Sequence, residues 1–161
     1  MTDATETTTL STSKSSGTIR ILAIIVIVAG VVLAGAGVVT YFTVRAALTD
    51  ENITVSDDAG RFAGQQVQGP FTAYEEANVI QKHALEATGG KTYAELDRED
   101  PVRQTAMTAS FLRASLFTSV VAFGVAAMAI GLGIVIVLVG VALLLAAKGL
   151  EVEVPRPAEA A

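Results

Sequence analysis

The stretch "ASLFTSVVAFGVAAMAIGLGIVIVLVGVALLLAA", Ala114–Ala147, decides the fold. It runs for 34 residues without a charged side chain. As a helix it would be about 51 Å long, more than the roughly 30 Å hydrocarbon core of a bilayer. The sequence therefore predicts a transmembrane helix, with its span near Val120–Leu144 and the rest projecting on the loop side. A second uncharged run, Ile21–Val44, is also long enough to cross. Ala34-Gly35-Ala36 has the small-x-small form of a signal cleavage site. The apolar run continues past it to Phe42, however, longer than a signal h-region, so it reads as an uncleaved anchor.

Working outward, the chain divides into five parts. Residues 1–20, rich in Thr and Ser, bury too little apolar surface to offset ordering and are expected to be a disordered cytoplasmic tail. Residues 21–44 form the first span, and 45–113 form a charged insert. Residues 114–147 form the helix containing the second span, and 148–161 form a second tail. The fold class expected is mainly α: two transmembrane helices in a helical hairpin, with a small extracytoplasmic α+β insert between them. Lys14 and Arg20 precede the first span; Arg45 follows it, with the acids Asp50, Glu51, Asp57 and Asp58 soon after. The placement expected from the Lys/Arg bias is the plasma membrane, two-pass, with both termini cytoplasmic.

Within the insert, "ENITV" and "RFAGQQVQGPF" read as short strands over 51–69, punctuated by Gly and Pro. Thr72 and Glu75 have capping-box spacing and predict a helix over 73–88, its narrow apolar stripe formed by Ala73, Ala77, Ile80, Ala84 and Ala87. Gly89 falls where a left-handed C-terminal cap is needed. Thr92 and Glu95 repeat the capping-box spacing and predict a short helix over 93–99. Asp100-Pro101 predicts a third start, with Asp as N-cap and Pro at the first helical position, over 101–113 and into the membrane. In the spans, Gly30/Ala34, Ala122/Ala126 and Ala127/Gly131 are small residues four apart, a spacing that lets helix backbones approach.

Candidate chemistry is sparse. The net charge of −5 argues against nucleic acid, and the lack of Cys excludes disulfides and thiolate chemistry. His83 is the single histidine and has no second His four residues on. The acids around Arg98, namely Glu95, Asp97, Glu99 and Asp100, read as caps and a solvated face rather than a paired-carboxylate site. Asp50, Glu51, Asp57 and Asp58 lack EF-hand spacing, and Asn52-Ile53-Thr54 matches the glycosylation sequon. Neither span carries a charge or a histidine, which argues against an ion pathway. No catalytic residue, cofactor site or metal site is predicted. The expected partners are the lipid bilayer and either another membrane protein or a second copy of the chain.

The string "HALEATGGKTYAELDREDP…FLRASLFTSVVAFGVA" resembles a family of small actinobacterial two-span membrane proteins. The resemblance extends from "SSGTIR" at Ser15 through the second span. Members often carry the label aromatic ring-opening dioxygenase. Non-haem iron chemistry of that kind needs two His and a carboxylate or a similar ligand set, which a chain with His83 alone cannot assemble. The resemblance thus implies a membrane protein and adds no catalytic residue.

Overall fold

The computed structural model describes residues 13–152, with side chains described from 17 to 148. The expected tails at residues 1–12 and 153–161 lie outside the described residues. Three helices follow one another: α1 (Ser13–Asp50), α2 (Pro70–Ala87) and α3 (Arg103–Val152). The segments Gly17–Asp50 and Arg103–Lys148 are long and apolar enough to cross a membrane. Only 17% and 11% of their most apolar windows is buried within the chain. A core helix of a water-soluble protein would be mostly covered, so these exposed apolar surfaces suit a membrane. The helices exceed their predicted bounds. α1 begins at Ser13 and runs through Arg45–Asp50, and α3 continues past Lys148 to Val152.

The described residues form two compact units, one from residues up to Ala34 together with those from Gly131 on, the other from Gly35–Ile130. In the first, α1 and α3 touch through backbone. A Cβ added at Gly133 would lie 2.6 Å from the Ala34 nitrogen and 2.7 Å from the Gly30 oxygen. At Gly140 it would lie 3.0 Å from the Ala23 oxygen. Ala23, Gly30, Gly133, Gly140 and Ala147 are all buried, spaced by seven along each helix. A seven-residue step returns to within about 20° of the same face, so a heptad of small residues makes one continuous close seam.

Of the predicted packing pairs, Gly30 and Ala34 lie in this seam, but Gly131 has nothing within 4 Å and Ala127 is exposed. The seam on α3 runs through Gly133 and Gly140 instead. A step of four overshoots the face by about 40°, whereas a step of seven nearly restores it.

The second unit has a core of side chains: Leu48, Val55, Val67, Ala73, Ala77, Leu116 and Phe123, with Tyr41 and Val44 packed against it. Tyr41 meets Phe123 edge-on at 5.0 Å, and Tyr74 of α2 meets Phe117 of α3 at 5.7 Å. Gly37 approaches Ala126 closely in this unit, where a Cβ would sit 2.7 Å from the Ala126 oxygen, and Ala122 is half-buried.

The α+β insert is corrected. Among the described residues there is no strand, and the helix formed wholly within the insert is α2. Residues 51–69 make one antiparallel bridge, Thr54 to Gln66, with Val55 N–H donating to Gln65 O and Val67 N–H to Ile53 O. The reversal at Phe62 (φ 60) and Gly64 (φ 72) leaves these two short arms without a third partner, and an isolated pair of arms is marginal as a sheet. What fixes the loop is burial of Val55 and Val67, together with Glu76. This buried carboxylate accepts Ser56 N–H at 2.8 Å and the Ser56 hydroxyl at 3.2 Å. Asn52, in the predicted sequon, has φ 52 and donates its side-chain amide to Asp50 O, closing the end of α1. Asn tolerates this left-handed conformation better than most residues.

Helix α2 starts earlier than predicted. Gly69 is its N-cap and Pro70 its first residue, so Thr72 stands at the third helical position and not at the cap. Its hydroxyl accepts from Gly69 N–H and Gln68 N–H, both at 3.2 Å. Pro70 decides this start, because its fixed φ suits the first turn and its missing N–H is no loss there. Glu75 is therefore not a capping partner of Thr72. The predicted helix 93–99 is also absent, replaced by turns. Thr92 N–H and hydroxyl both donate to the Glu95 carboxylate, at 2.8 and 2.7 Å, but one turn goes no further. Four charged residues and Pro101 follow Leu96, which leaves no apolar face to bury, and an isolated short helix is unstable.

Candidate functional site

An apolar groove of about 490 Å³ lies between the far end of α2 and the start of α3. Ile80, Ala84 and Ala87 form one wall, and Thr105, Ala109 and Leu112 belong to the other. Its origin is legible in α2. The apolar stripe is buried at Ala73 and Ala77, half-buried at Ile80 and Ala84, and exposed at Ala87. The stripe outruns the core that covers it, and α3 diverges from it enough to leave the groove.

His83 lies on the rim of this groove. Asp58, 25 positions earlier, brings one carboxylate oxygen to 3.0 Å from His83 Nε2 and to 2.8 Å from Lys82 Nζ. Hydrogen bonds from Lys82 first, and then from His83, hold the Asp58 carboxyl down from 3.8 to about 2. The same carboxylate raises Lys82 above its ordinary value, with a smaller contribution from Glu86. All three groups are substantially exposed, so the cluster is a solvated clamp between the 51–69 loop and α2. Sequence spacing could not have found Asp58, because the contact is made by folding across the loop.

The remaining predicted site residues stand apart from the groove. Gly89 has φ 63 and Gly90 φ 87, and Gly90 N–H donates to Leu85 O at 2.7 Å, the long bond of a Schellman turn. Buried Thr88 ties this turn to the next by donating to Lys91 O. The third helix start is also corrected: α3 begins at Arg103, so Pro101 stands in a turn and Asp100 is not the N-cap, its carboxylate instead accepting Val102 N–H at 3.0 Å within that turn. Arg103 donates to Tyr93 O and Leu96 O and stacks on the Tyr93 ring at 4.1 Å. Glu95 is held below its ordinary range by its bonds from Thr92 and by the Lys91 charge. Of the acids near Arg98, Glu95 and Asp100 thus stabilise turns through their carboxylates. Among the described residues, no group of three or more His, Cys, Asp or Glu is placed to hold a metal ion. His83 with Asp58 can polarise or bind a ligand's polar group, and the groove walls can take an apolar one. No family model, curated protein or solved structure matches this chain.

Proposed function

We propose that this chain is a non-enzymatic, two-pass plasma-membrane protein, with both termini cytoplasmic, that mounts a small extracytoplasmic module for binding another membrane protein. The resemblance to a small actinobacterial two-span family of unknown function supports only the two-pass membrane part of this reading. The observation that carries it is the open groove. Its wall on α3 leads directly into the uncharged run after Arg113, so a helix lying in it would continue into the membrane beside α3. Small residues line it at Ala84, Ala87 and Ala109, allowing close approach by a partner helix. Leu112, 48% exposed, adds a large apolar side chain to the same wall. The occupant proposed is therefore a helix of a different membrane protein, with this chain as its accessory subunit.

A photocrosslinking residue at Leu112, in intact cells, should give one discrete adduct with a second membrane protein. The same residue at Gln65, exposed and away from the groove, should not. Ala87→Glu should abolish the adduct while protein abundance is kept. An adduct between two copies of this chain, or equal labelling from Gln65, would overturn this reading. The second reading, an envelope ligand-binding protein or enzyme, is favoured by His83 on the groove rim beside Asp58. It requires that His83→Ala remove a ligand-dependent stabilisation or an activity. For topology, single cysteines at Thr5, Gln65 and Ala158 in this cysteine-free chain should label with an impermeant thiol reagent only at Gln65.

A further inference from the structure

Helix α2 begins on an aromatic pair that its own core does not take up. Phe71 and Tyr74 stand three residues apart and so share one face of the first turns. Ala73, Glu76 and Ala77, on the far side, are buried, whereas Phe71 is 74% exposed and Tyr74 half exposed. Turning the pair inward would take Ala73 and Ala77 out of the core. The Tyr74 ring meets Phe117 of α3 edge-on at 5.7 Å. Phe71 borders a hollow of about 300 Å³ together with Tyr41 and Arg45 of α1. Six residues along α3 from Phe117, Phe123 meets that same Tyr41. All of these residues belong to the second unit. From Tyr74, α2 runs back along α3 in the opposite direction, so that Ala84 and Ala87 face Thr105 and Ala109 across the groove. The start of α2 is thus its end nearest the uncharged run Ala114–Ala147.

Three features identify what covers the pair. The first is level. With the span at Val120–Leu144, Phe117 lies about 4.5 Å before its first residue and Phe123 about 4.5 Å inside it. The layer between hydrocarbon and water is roughly 5–7 Å thick on each side, so contact with Phe117 carries Tyr74 at the height of that layer. The second is chemistry. Aromatic rings settle where one side is apolar and the other wet. The exposed ionisable groups of α2, Lys82, His83 and Glu86, fall in its second half, about 12–22 Å further along, and Glu75 beside Tyr74 is half-buried. The third is size. Two side chains are far less than the roughly 20 residues a side of a stable protein interface, but they suffice against a bilayer that already surrounds the span. Exposed apolar side chains of both long helices begin at the same level, Phe42 on α1 and Val121 on α3.

We infer that the start of α2 docks on the lipid surface, with Phe71 and Tyr74 seated in the interfacial layer beside the span. The inference rests on the membrane placement proposed above. It gives the insert an attachment to the bilayer besides the two helices that enter it, and it holds the groove end of α2 away from the lipid. The chain contains no Trp, so a single introduced indole reports its own depth. The test uses the full chain in phosphatidylcholine vesicles, with and without bromine on the acyl chains close to the headgroup. Phe71→Trp and Tyr74→Trp should each give blue-shifted emission and lose most of it to the brominated lipid. Glu86→Trp, about 22 Å further along the same helix, should stay red-shifted and unquenched. Val121→Trp, exposed within the span, reports on the membrane reading by itself. If Tyr74→Trp disturbs the contact with Phe117, Phe71→Trp, whose ring is exposed, decides alone. Quenching at position 121 with none at 71 would overturn the docked turn and leave the span standing. No quenching at 121 would defeat the membrane reading, and the inference with it. Equal quenching at 86 and 71 would overturn the upright placement of α2. A blue shift at 71 that follows protein concentration and not bromine would assign the patch to a second copy and overturn the lipid assignment.

Discussion

The two compact units hold themselves together in opposite ways. In the first, helix backbones meet at Gly30, Gly133 and Gly140, and large side chains such as Val31, Val32, Leu138 and Leu145 point outward, each more than half exposed. In the second, the centre is filled by Phe123, Leu116, Val55 and Val67, and the polar groups are spent on loops. The difference follows from the surroundings each can have. Where lipid is as apolar as the interior, burying Leu or Val gains little, and close van der Waals contact between small residues is what remains. Around Val55 and Val67, in the insert, burying large side chains from water is the main favourable term, while Phe123, within the expected span, contributes mainly close packing on Tyr41. The first unit should therefore be most sensitive to an added methyl group and the second to loss of volume, although Gly37 against Ala126 leaves the second unit sensitive to an added methyl at that point as well.

The largest effect is expected at Phe123, 2% exposed and packed on Tyr41. Phe123→Ala should destabilise the second unit by about 3–5 kcal/mol, read as loss of protease resistance in the 51–69 loop. Next comes the methyl test. Gly133→Ala would place a Cβ against backbone atoms of Ala34 and Gly30 and should cost about 1–3 kcal/mol. Gly131→Ala, two residues away in open space, should be neutral or stabilising by up to about 1 kcal/mol, because Ala is the better helix former. Thermal unfolding of both variants in one detergent checks the pair. Equal effects would mean that the close seam does not hold the first unit together.

The same contrast explains what could be read from the sequence. Two long apolar helices were legible because an uncharged run of 34 residues has few alternatives. Small residues were legible as packing residues, but not their register. Spacing of four suggested Ala127/Gly131, whereas the contact falls on Gly133 and Gly140, seven apart, a period visible only when both helices are compared. The strand prediction failed for want of a third arm, and Thr72 was misplaced because Pro70 was read as loop punctuation and not as a helix start. Gly89 was placed by its position after an apolar stripe. The Asp58–Lys82–His83 clamp and the Tyr74–Phe117 contact had no local signature, since each joins residues more than 20 positions apart.

Gly89 gives the next effect in size and lies in the water-facing part of the second unit. Its φ of 63 costs about 1–2 kcal/mol for a residue with a Cβ. No atom lies within 4 Å of an added Cβ, so the cost is conformational and not steric crowding by neighbours. Gly89→Val should therefore lose about 1–2 kcal/mol, and Gly89→Asn distinctly less, since Asn reaches this region more readily. If the two variants unfold at the same temperature, the turn after α2 is not where that helix is held.

The smallest effect is at the clamp, and it separates a surface contact from a core. Asp58 is held at about 2 by Lys82 and His83, below its ordinary 3.8. Because the folded value is the lower one, this contribution is complete above the unfolded value near 4 and disappears as the pH falls toward 2. The raised value of Lys82 has the opposite sign, so its share is present below 10.5 and fades as the pH rises beyond it. The groups are exposed, so salt should screen the effect. Between pH 4 and 2, amide exchange in residues 56–66 should quicken in the parent chain more than in Asp58→Asn, whose clamp is already weakened. Val55 and Val67 keep the loop in place, so the loop should loosen and not detach. His83→Gln retains an amide donor for Asp58 and should behave as the parent does. Should His83→Gln instead unfold the loop as fully as Phe123→Ala, the rim of the groove would be structural core, and the contrast between the clamp and the packed centre would collapse.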